Sequence, residues 1–326
     1  MSKIKEKLKK YKKDLIEMAI MLIVFIVLMT PVPYYISMGG GIIPLDDKIE
    51  IENEYKSTGS LSSAYVKEGR GRVITYLLSF IIPSYEREKI DKENTLDESE
   101  NNYNKRQSMY FDNSLDEALI VAYKAAGQKI DYKENIYVSF IDKNAKTDLN
   151  LGDIIKKING IDVNTKEEVI NIIRESKEKT IKITTPTEEK TAEIYDYEGR
   201  KVIGIVIENS YTIANKEVKF LFSDDEQGPS AGLMISLEIY NSLTKQDITC
   251  GKKIVGTGTI DVNGKVGEIG GVKEKLEGAV KNKADIFIVP KENYEEAIKY
   301  KNDNNIQIKI IDVASFDEAL EKLKCK

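Results

Sequence analysis

The chain has 326 residues, which is enough for two or three domains with substantial buried cores. It is 41% hydrophobic and 32% charged, as folded proteins are, and it has no histidine, which excludes Ser-His-Asp and Cys-His catalysis and removes the commonest zinc ligand. Its two cysteines, Cys250 and Cys325, form no CxxC motif, and the sequence leaves open whether they pair or stay free.

The N-terminus joins a basic segment to an apolar one. Residues 1–13 carry seven lysines and one glutamate, a net charge of +6, and 18–29 are apolar throughout. A bilayer core needs about 20 such residues. We therefore predict a basic cytoplasmic tail at 1–14 and a transmembrane anchor at 15–36, with the rest of the chain outside the cell membrane. The alternative is a cleaved signal peptide, but no small-x-small cleavage site follows the apolar run, which favours the anchor.

Charge also bears on the partners of this chain. The net charge is −5, and residues 1–13 carry +6, so residues 14–326 carry −11. A segment this acidic repels phosphate backbones, which argues against nucleic acid as a partner.

Residues 37–130 contain strand-like, polar and helical patterns, which predict an α/β segment. Three glycines at 39–41 and a nearby proline predict a break in regular structure, and strand-like patterns follow at 49–52 and 72–83. Residues 86–108 are almost wholly polar, which predicts a mobile insertion. Asn113-Ser114 then predict the start of a helix ending at Gly127. Its apolar face consists of Leu115, Ala118, Leu119, Ala122 and Ala126.

Residues 131–195 form a compact, β-rich pattern. A strand at 135–142 precedes a hairpin that turns at Asn159-Gly160. Thr165 and Glu168 form a capping box at the start of a helix, and an alternating strand closes the pattern at 180–185. With the motif L-x-x-G-D-x-I-x-x-I-N-G, this pattern resembles a PDZ domain of bacterial exported proteases. It departs from that family because no Gly-Leu-Gly-Phe loop for a carboxylate precedes the first strand.

From about residue 200 strands and helices alternate, which predicts an α/β domain over 200–326. Strands are expected at 202–208, 218–223, 253–260, 285–290 and 306–312. Helices are expected at 229–243, at 272–282, shortly after the strand at 285–290, and at 316–323.

The sequence G-P-S-A-G places Ser230 at the start of a predicted helix. Pro229 favours a first helical turn, and the helix N-terminus would stabilise an oxyanion. The alternative is that Ser230 is simply an N-cap, the commoner role of a serine at this position. Without histidine, a nucleophilic serine needs a different base.

A second motif supplies a candidate base. The lysine of I-G-G-V-K-E-K follows Ser230 by 43 residues, and T-G-T-I-D-x-x-G-x-V lies between them. Together these motifs resemble the proteolytic domain of Lon proteases. The whole chain resembles the membrane-anchored PDZ–Lon-like secreted serine proteases of Gram-positive bacteria, which implies a multidomain α/β (α+β) fold.

The resemblance implies a Ser-Lys dyad with Ser230 as nucleophile, Lys273 as general base and Thr257 near the lysine amine. It also implies supporting positions around the serine, namely Gly228, Pro229 and Ala231. A lysine with the ordinary pKa of about 10.4 cannot accept a proton at neutral pH, so Lys273 requires burial to lower its pKa. Gly270-Gly271 before it would permit close backbone approach. Lys275, two residues on, is predicted to be a solvated surface lysine.

The chain departs from ATP-dependent Lon enzymes in one position. Gln227 stands where they carry an aspartate directly before G-P-S-A-G. The acidic residues at 224–226 are expected to be solvated. The chain also has no G-x-x-x-x-G-K-[ST] motif for ATP.

We therefore expect an ATP-independent, membrane-anchored serine endopeptidase without metal or cofactor, cutting peptides or unfolded segments outside the membrane. Its partners would be protein substrates, the membrane and further copies of the chain, since Lon-type domains elsewhere form rings. The alternative is a catalytically inactive PDZ/Lon-fold scaffold. Retention of both Ser230 and Lys273 in register favours the enzyme.

Overall fold

The computed structural model describes residues 11–52, 54–82, 84–90, 98–214 and 216–325. It is a mixed α/β structure with several sheets, which confirms the predicted class. The chain divides into two compact units. The first consists of Met1–Gly39 and Val66–Thr95, and the second of Gly40–Tyr65 and Leu96–Lys326.

The α-helices of the described residues are α1 Lys12–Met29, α2 Val73–Leu78, α3 Glu100–Ala125, α4 Lys166–Glu175, α5 Gly232–Leu243, α6 Val272–Lys281, α7 Tyr294–Asp303 and α8 Phe316–Lys322. Short 3-10 helices lie at Pro229–Ala231 and Lys291–Asn293. The strands are β1 Pro31–Pro44, β2 Ile49–Ile51, β3 Ser60–Arg72, β4 Tyr85–Lys89, β5 Tyr132–Ile141, β6 Ile154–Ile155, β7 Lys157–Ile158, β8 Ile161–Asp162, β9 Thr180–Thr184, β10 Glu189–Glu193, β11 Tyr195–Tyr197, β12 Arg200–Val202, β13 Ile205–Ile213, β14 Val218–Phe220, β15 Lys253–Gly256, β16 Thr259–Ile260, β17 Val266–Gly267, β18 Ile286–Pro290 and β19 Lys309–Val313.

In the first unit the predicted anchor differs from the structure. Helix α1 ends at Met29, and residues 31–36 belong to strand β1 because prolines at 31 and 33 cannot continue a helix. The first six residues of α1 also include four charged side chains. Within the described ranges no helix is long and apolar enough to cross a membrane, so the prediction of a transmembrane helix over 15–36 is wrong. Residues 1–10 of the predicted tail lie outside the described residues.

The segment 72–83, predicted as a strand, is also different. Residues 73–78 form helix α2, because the hydroxyl of Thr75 accepts the N–H of Arg72 and caps the first turn. Antiparallel pairing of β1 with β4 completes the secondary structure of this unit, with Ile36 opposite Arg87.

The glycines at 39–41 continue strand β1, so the predicted break is wrong. A Cβ atom on Gly40 would lie 2.4 Å from the carbonyl oxygen of Tyr65 and 2.5 Å from that of Glu274. Gly278, one turn further along α6, would place a Cβ 2.9 Å from the backbone of Gly41. These glycines are therefore required because helix α6 packs directly against the strand.

Helix α3 replaces most of the predicted polar loop. Ser99 caps it by accepting the N–H of Asn102, and Arg106 pairs with Glu98. The predicted start at Asn113-Ser114 is therefore wrong, whereas the predicted apolar face is confirmed by the burial of Leu115, Ala118, Leu119 and Ala122. Residues 91–97 of the polar segment lie outside the described residues. Tertiary packing of the second half of α3 sustains a helix whose first half is polar.

The predicted elements of the β-rich region are confirmed individually. β5 matches the first strand, and Asn159 and Gly160 both have positive φ, as a type I′ hairpin turn requires. Thr165 and Glu168 form the capping box at the start of α4, and β9 is the closing strand. One hydrophobic cluster unites these elements with residues at 203–207, because β13 pairs with β5. The resemblance to a PDZ domain remains a prediction.

The C-terminal region is built on the parallel strands β19, β18, β15 and β3, in that order. Side chains of β15 alternate between two hydrophobic clusters. Ile254 packs with α3, α5 and α8 on one face, and Val255 packs with α6 and α7 on the other. The sheet is therefore covered by helices on both faces, and the strand predicted at 285–290 and the helix predicted at 272–282 are confirmed. The strand predicted at 253–260 is instead divided into β15 and β16, and the strand predicted at 202–208 is divided as well, with β13 paired to β5 in another sheet.

A disulfide joins Cys250 to Cys325, which are 75 residues apart. Cys250 precedes β15, and Cys325 follows α8. The pairing that the sequence left open is therefore formed, and it ties the end of the described chain to the parallel sheet.

Glu117 of α3 makes the stability of this fold depend on pH. Burial and the negative charges of Asp261, Asp116 and Glu208 together raise the pKa of Glu117 from 4.5 to about 8, against a hydrogen bond with Asn113 that lowers it. A carboxyl whose pKa is raised in the folded state favours folding below its unfolded pKa, and this contribution is lost as the pH rises to about 8. We expect Glu117→Gln to increase the free energy of unfolding at pH 9 by about 2–4 kcal/mol relative to wild type.

Urea unfolding at pH 4.5 and pH 9 would check this expectation, because the two proteins should differ little at the lower pH. Glu167→Gln, on the exposed side of α4, is the matched control and should show no comparable gain in stability at pH 9. A gain for Glu117→Gln that is the same at both pH values would contradict the expectation.

Candidate active site

Ser230 lies in the short 3-10 helix Pro229–Ala231, which leads directly into α5. Gly228 begins this turn with φ of +86°, a conformation that favours glycine. Its N–H donates to the carbonyl oxygen of Gln107 in helix α3, at 3.3 Å. Ser230 is half-buried, so its position is fixed by the turn while its side chain keeps partial access to solvent.

Two donors hold the carbonyl oxygen of Ser230. The hydroxyl of Thr257 donates to it at 3.0 Å, and the N–H of Gly258 donates to it at 2.8 Å. Because the peptide bond is trans and planar, the N–H of Ala231 points to the opposite side of the same peptide plane. The motif T-G-T thus orients the peptide group between Ser230 and Ala231.

Thr257 is completely buried and follows the carboxyl end of β15. Its N–H donates to the carbonyl oxygen of Ile288 in β18, at 3.0 Å. In the structure the Thr257 hydroxyl is therefore hydrogen-bonded to the backbone carbonyl oxygen of Ser230. Its oxygen can also accept a hydrogen bond, and the predicted contact with the lysine amine remains a prediction.

Lys273 lies in the first turn of α6 and is half-buried. The residue before this helix, Gly271, adopts a left-handed conformation with φ of +67°. The predicted close approach at Gly270 is wrong, because a Cβ there would meet nothing within 4 Å. Lys275 is only 4% exposed, so the prediction that it is a solvated lysine is wrong as well.

The starts of α5 and α6 lie at the same edge of the parallel sheet. Helix α5 begins there, since the N–H of Leu233 in its first turn donates to the carbonyl oxygen of Gly258, just beyond the carboxyl end of β15, at 3.0 Å. Helix α6 leads into β18, which is parallel to β15, so α6 also begins at the carboxyl edge. The loop before α6 is held there by Asn293, which exchanges two hydrogen bonds with the backbone of Ile269, at 2.9 and 3.0 Å. Ser230 and Lys273 thus approach this edge from opposite faces of the sheet.

The acidic loop before the serine has a structural role in the described geometry. Glu226 accepts from Lys48 at 3.0 Å and from the N–H of Ser223 at 2.6 Å. Gln227 donates its side-chain N–H to the carbonyl oxygen of Asp224, at 2.9 Å. Asp224 and its neighbour at 225 are exposed, as predicted, whereas Glu226 is partly buried in its ion pair.

The region that contains Ser230, Thr257 and Lys273 matches a known protein family. The model of the Lon protease (S16) C-terminal proteolytic domain matches residues 223–325. These residues form a Lon-type serine-peptidase domain. The match begins seven residues before Ser230 and includes Thr257 and Lys273.

Curated relatives support the same assignment. The Lon protease of Campylobacter jejuni is 36% identical over 97 residues, which are 29% of this chain and 12% of that protein. The peroxisomal Lon protease homolog 2 of Kluyveromyces lactis is 37% identical over 102 residues, which are 31% of this chain and 10% of that protein. The chain thus spans about a tenth of the length of these relatives, and the similarity concerns the proteolytic domain.

Two residues that hold the backbone around Ser230, Gln107 and Gly258, were not predicted from the sequence. Gln107 holds the turn at Gly228 from helix α3, but its polar surroundings predicted a loop. Gly258 donates to Ser230, and only the T-G-T motif pointed to this region. The N-cap at Ser99 could have indicated the first of these residues, because serine at that position favours a helix start.

Thr257→Val is expected to lower kcat for peptide hydrolysis about 5-fold with KM nearly unchanged, since a hydrogen bond to the Ser230 carbonyl contributes about 1 kcal/mol. Thr257→Ser keeps the hydroxyl and should restore most of kcat. Steady-state kinetics of the three proteins would check this. A loss of thermal stability with unchanged kcat in Thr257→Val would instead show that Thr257 serves folding alone.

Proposed function

We propose that this chain is an ATP-independent serine endopeptidase in which Ser230 and Lys273 act as a dyad. The observation that carries the proposal is the fixed Ser230 turn inside a Lon-type serine-peptidase domain, with Lys273 starting a helix at the same sheet edge. Because the chain has no histidine, we assign the role of base to Lys273, which lies in the first turn of α6.

In the proposed reaction the neutral amine of Lys273 takes the proton of the Ser230 hydroxyl as the serine oxygen attacks the substrate carbonyl carbon. The carbonyl oxygen becomes an oxyanion, which the Ala231 N–H and the start of α5 stabilise. Lys273 then passes the proton to the leaving amine, the peptide bond breaks, and water hydrolyses the acyl-enzyme. Half-burial of Lys273 supports this role, since removal from water disfavours the ammonium form.

The proposed substrates are peptides and unfolded segments. The sequence contains no ATP-binding loop that could drive unfolding, so the chain must meet its substrate already extended. We also propose that the catalytic domain acts outside the cytoplasm, attached to a membrane. The disulfide between Cys250 and Cys325 supports an oxidising location, and the apolar helix α1 after a lysine-rich segment supports membrane attachment.

The proposal is tested by incubating the purified chain with an unfolded protein and with its folded form, in buffers with and without ATP. Cleavage of the unfolded form at equal rates in both buffers is expected. Mass spectrometry should detect an acyl adduct on Ser230 after treatment with a serine-directed acylating inhibitor. Absence of cleavage under all conditions, with no adduct, would favour the alternative of an inactive scaffold.

A further inference from the structure

The first unit exposes an apolar surface beside the end of α1. Three large side chains within five residues are mostly open to solvent, namely Leu77 at 52%, Phe80 at 63% and Ile81 at 76%. We call this group the apolar wedge. Contiguous exposed side chains of this size mark a surface that another apolar phase covers.

The wedge is held in place by its backbone. The N–H of Phe80 donates to the carbonyl oxygen of Leu77 at 3.2 Å, and those of Ile81 and Ile82 donate to Leu78 at 2.9 and 2.8 Å. The hydroxyl of Ser79 donates to the carbonyl oxygen of Tyr76. The exposure of the wedge is therefore a property of an ordered turn.

The wedge continues the apolar surface of α1. The N–H of Val73 donates to the carbonyl oxygen of Thr30 at 3.0 Å, and the guanidinium of Arg72 donates to that of Met29 at 3.2 Å. These bonds fix α2 against the end of α1, where the charge-free run of that helix stops. No residue of α1 is buried, so its apolar part, residues 18–29, is at least partly exposed.

Aromatic and cationic groups border the wedge as they do at a lipid headgroup layer. The rings of Tyr34 and Tyr76 lie 4.8 Å apart, and the guanidinium of Arg87 lies 3.8 Å from the centre of the Phe80 ring. Tyrosine and arginine combine apolar bodies with polar ends and suit the boundary between water and acyl chains. Arg72 and Arg87 would also attract anionic headgroups.

We infer that Leu77, Phe80 and Ile81 insert into the surface of an anionic lipid bilayer and give the first unit a second membrane contact beside α1. This inference rests on the proposed attachment to a membrane. We expect the apolar wedge to enter one leaflet of the bilayer to a depth of about 5–10 Å, as is typical of interfacial elements. It would hold the first unit at a set orientation on the lipid surface.

The chain contains no tryptophan, so the tryptophan fluorescence of a variant comes entirely from the one tryptophan that is introduced. Full-length Phe80→Trp and Ile81→Trp are mixed with vesicles of phosphatidylcholine and phosphatidylglycerol. Tyr197→Trp is the matched control, because Tyr197 is 61% exposed in the second unit. Binding is read by co-sedimentation, and depth is read by quenching with lipids brominated near the top or the bottom of the acyl chain.

For both wedge probes we expect emission at shorter wavelength on vesicles and stronger quenching by the shallow bromine, with no change for Tyr197→Trp. Co-sedimentation without quenching of either wedge probe would overturn the wedge while leaving membrane attachment intact. No co-sedimentation would overturn both, and cleavage in solution would still test the peptidase. A shift to shorter wavelength without quenching would show that a second copy of the chain covers the wedge, which also overturns the inference.

Discussion

Ser230→Ala and Lys273→Ala are each expected to lower kcat/KM for cleavage of an unfolded protein at least ~1,000-fold, because nucleophile and base act as one unit. The double substitution should lower kcat/KM little more than either single substitution does. Lys273→Arg should be as inactive as Lys273→Ala, since a guanidinium stays protonated and cannot accept the serine proton. The measurement is steady-state cleavage of a fluorogenic unfolded substrate.

Controls for this experiment come from the same elements. Ser223→Ala lies in the loop before the serine, and Lys281→Ala lies on the exposed end of α6. Both should keep nearly full activity. If Lys273→Arg retained activity, Lys273 would contribute only a positive charge and the dyad would be wrong. If Ser230→Ala retained activity, another nucleophile would have to be sought.

The second large effect concerns the disulfide. Closing a chain of 75 residues between Cys250 and Cys325 restricts the unfolded state, and native disulfides of this kind typically contribute about 2–4 kcal/mol. We expect a reductant, or replacement of both cysteines by serine, to lower the free energy of unfolding by that amount. Urea denaturation followed by circular dichroism would measure it.

The native contacts of this region explain why the folded state should survive without the bond. Phe316 of α8 is buried, and its ring lies 5.9 Å from that of Tyr240 in α5. Leu323 is buried near the end of α8 as well. The doubly substituted chain should therefore fold and be insensitive to reductant. Equal stability of the wild type with and without reductant would contradict the expected contribution.

Much of the fold was predictable because it depends on neighbours in the chain. The turn at Asn159-Gly160 requires two residues that tolerate positive φ, and the capping box of Thr165 and Glu168 satisfies helix-end N–H groups locally. The predictions of secondary structure were wrong where contacts with residues distant in the sequence determine the local conformation. The polar first half of α3 forms a helix because its second half packs, and the glycines of β1 stay extended because α6 needs the space.

The candidate site divides in the same way. The sequence by itself determined that a serine begins a helix, that no histidine is present and that a lysine follows at a family-specific spacing, since motifs and composition need no folding to be read. Only the tertiary structure decided that Thr257 and Gly258 hold the Ser230 carbonyl, that Lys275 is buried and that the cysteines pair. These features depend on how strands and helices far apart in the chain meet at one sheet edge, and local sequence patterns do not encode such distances.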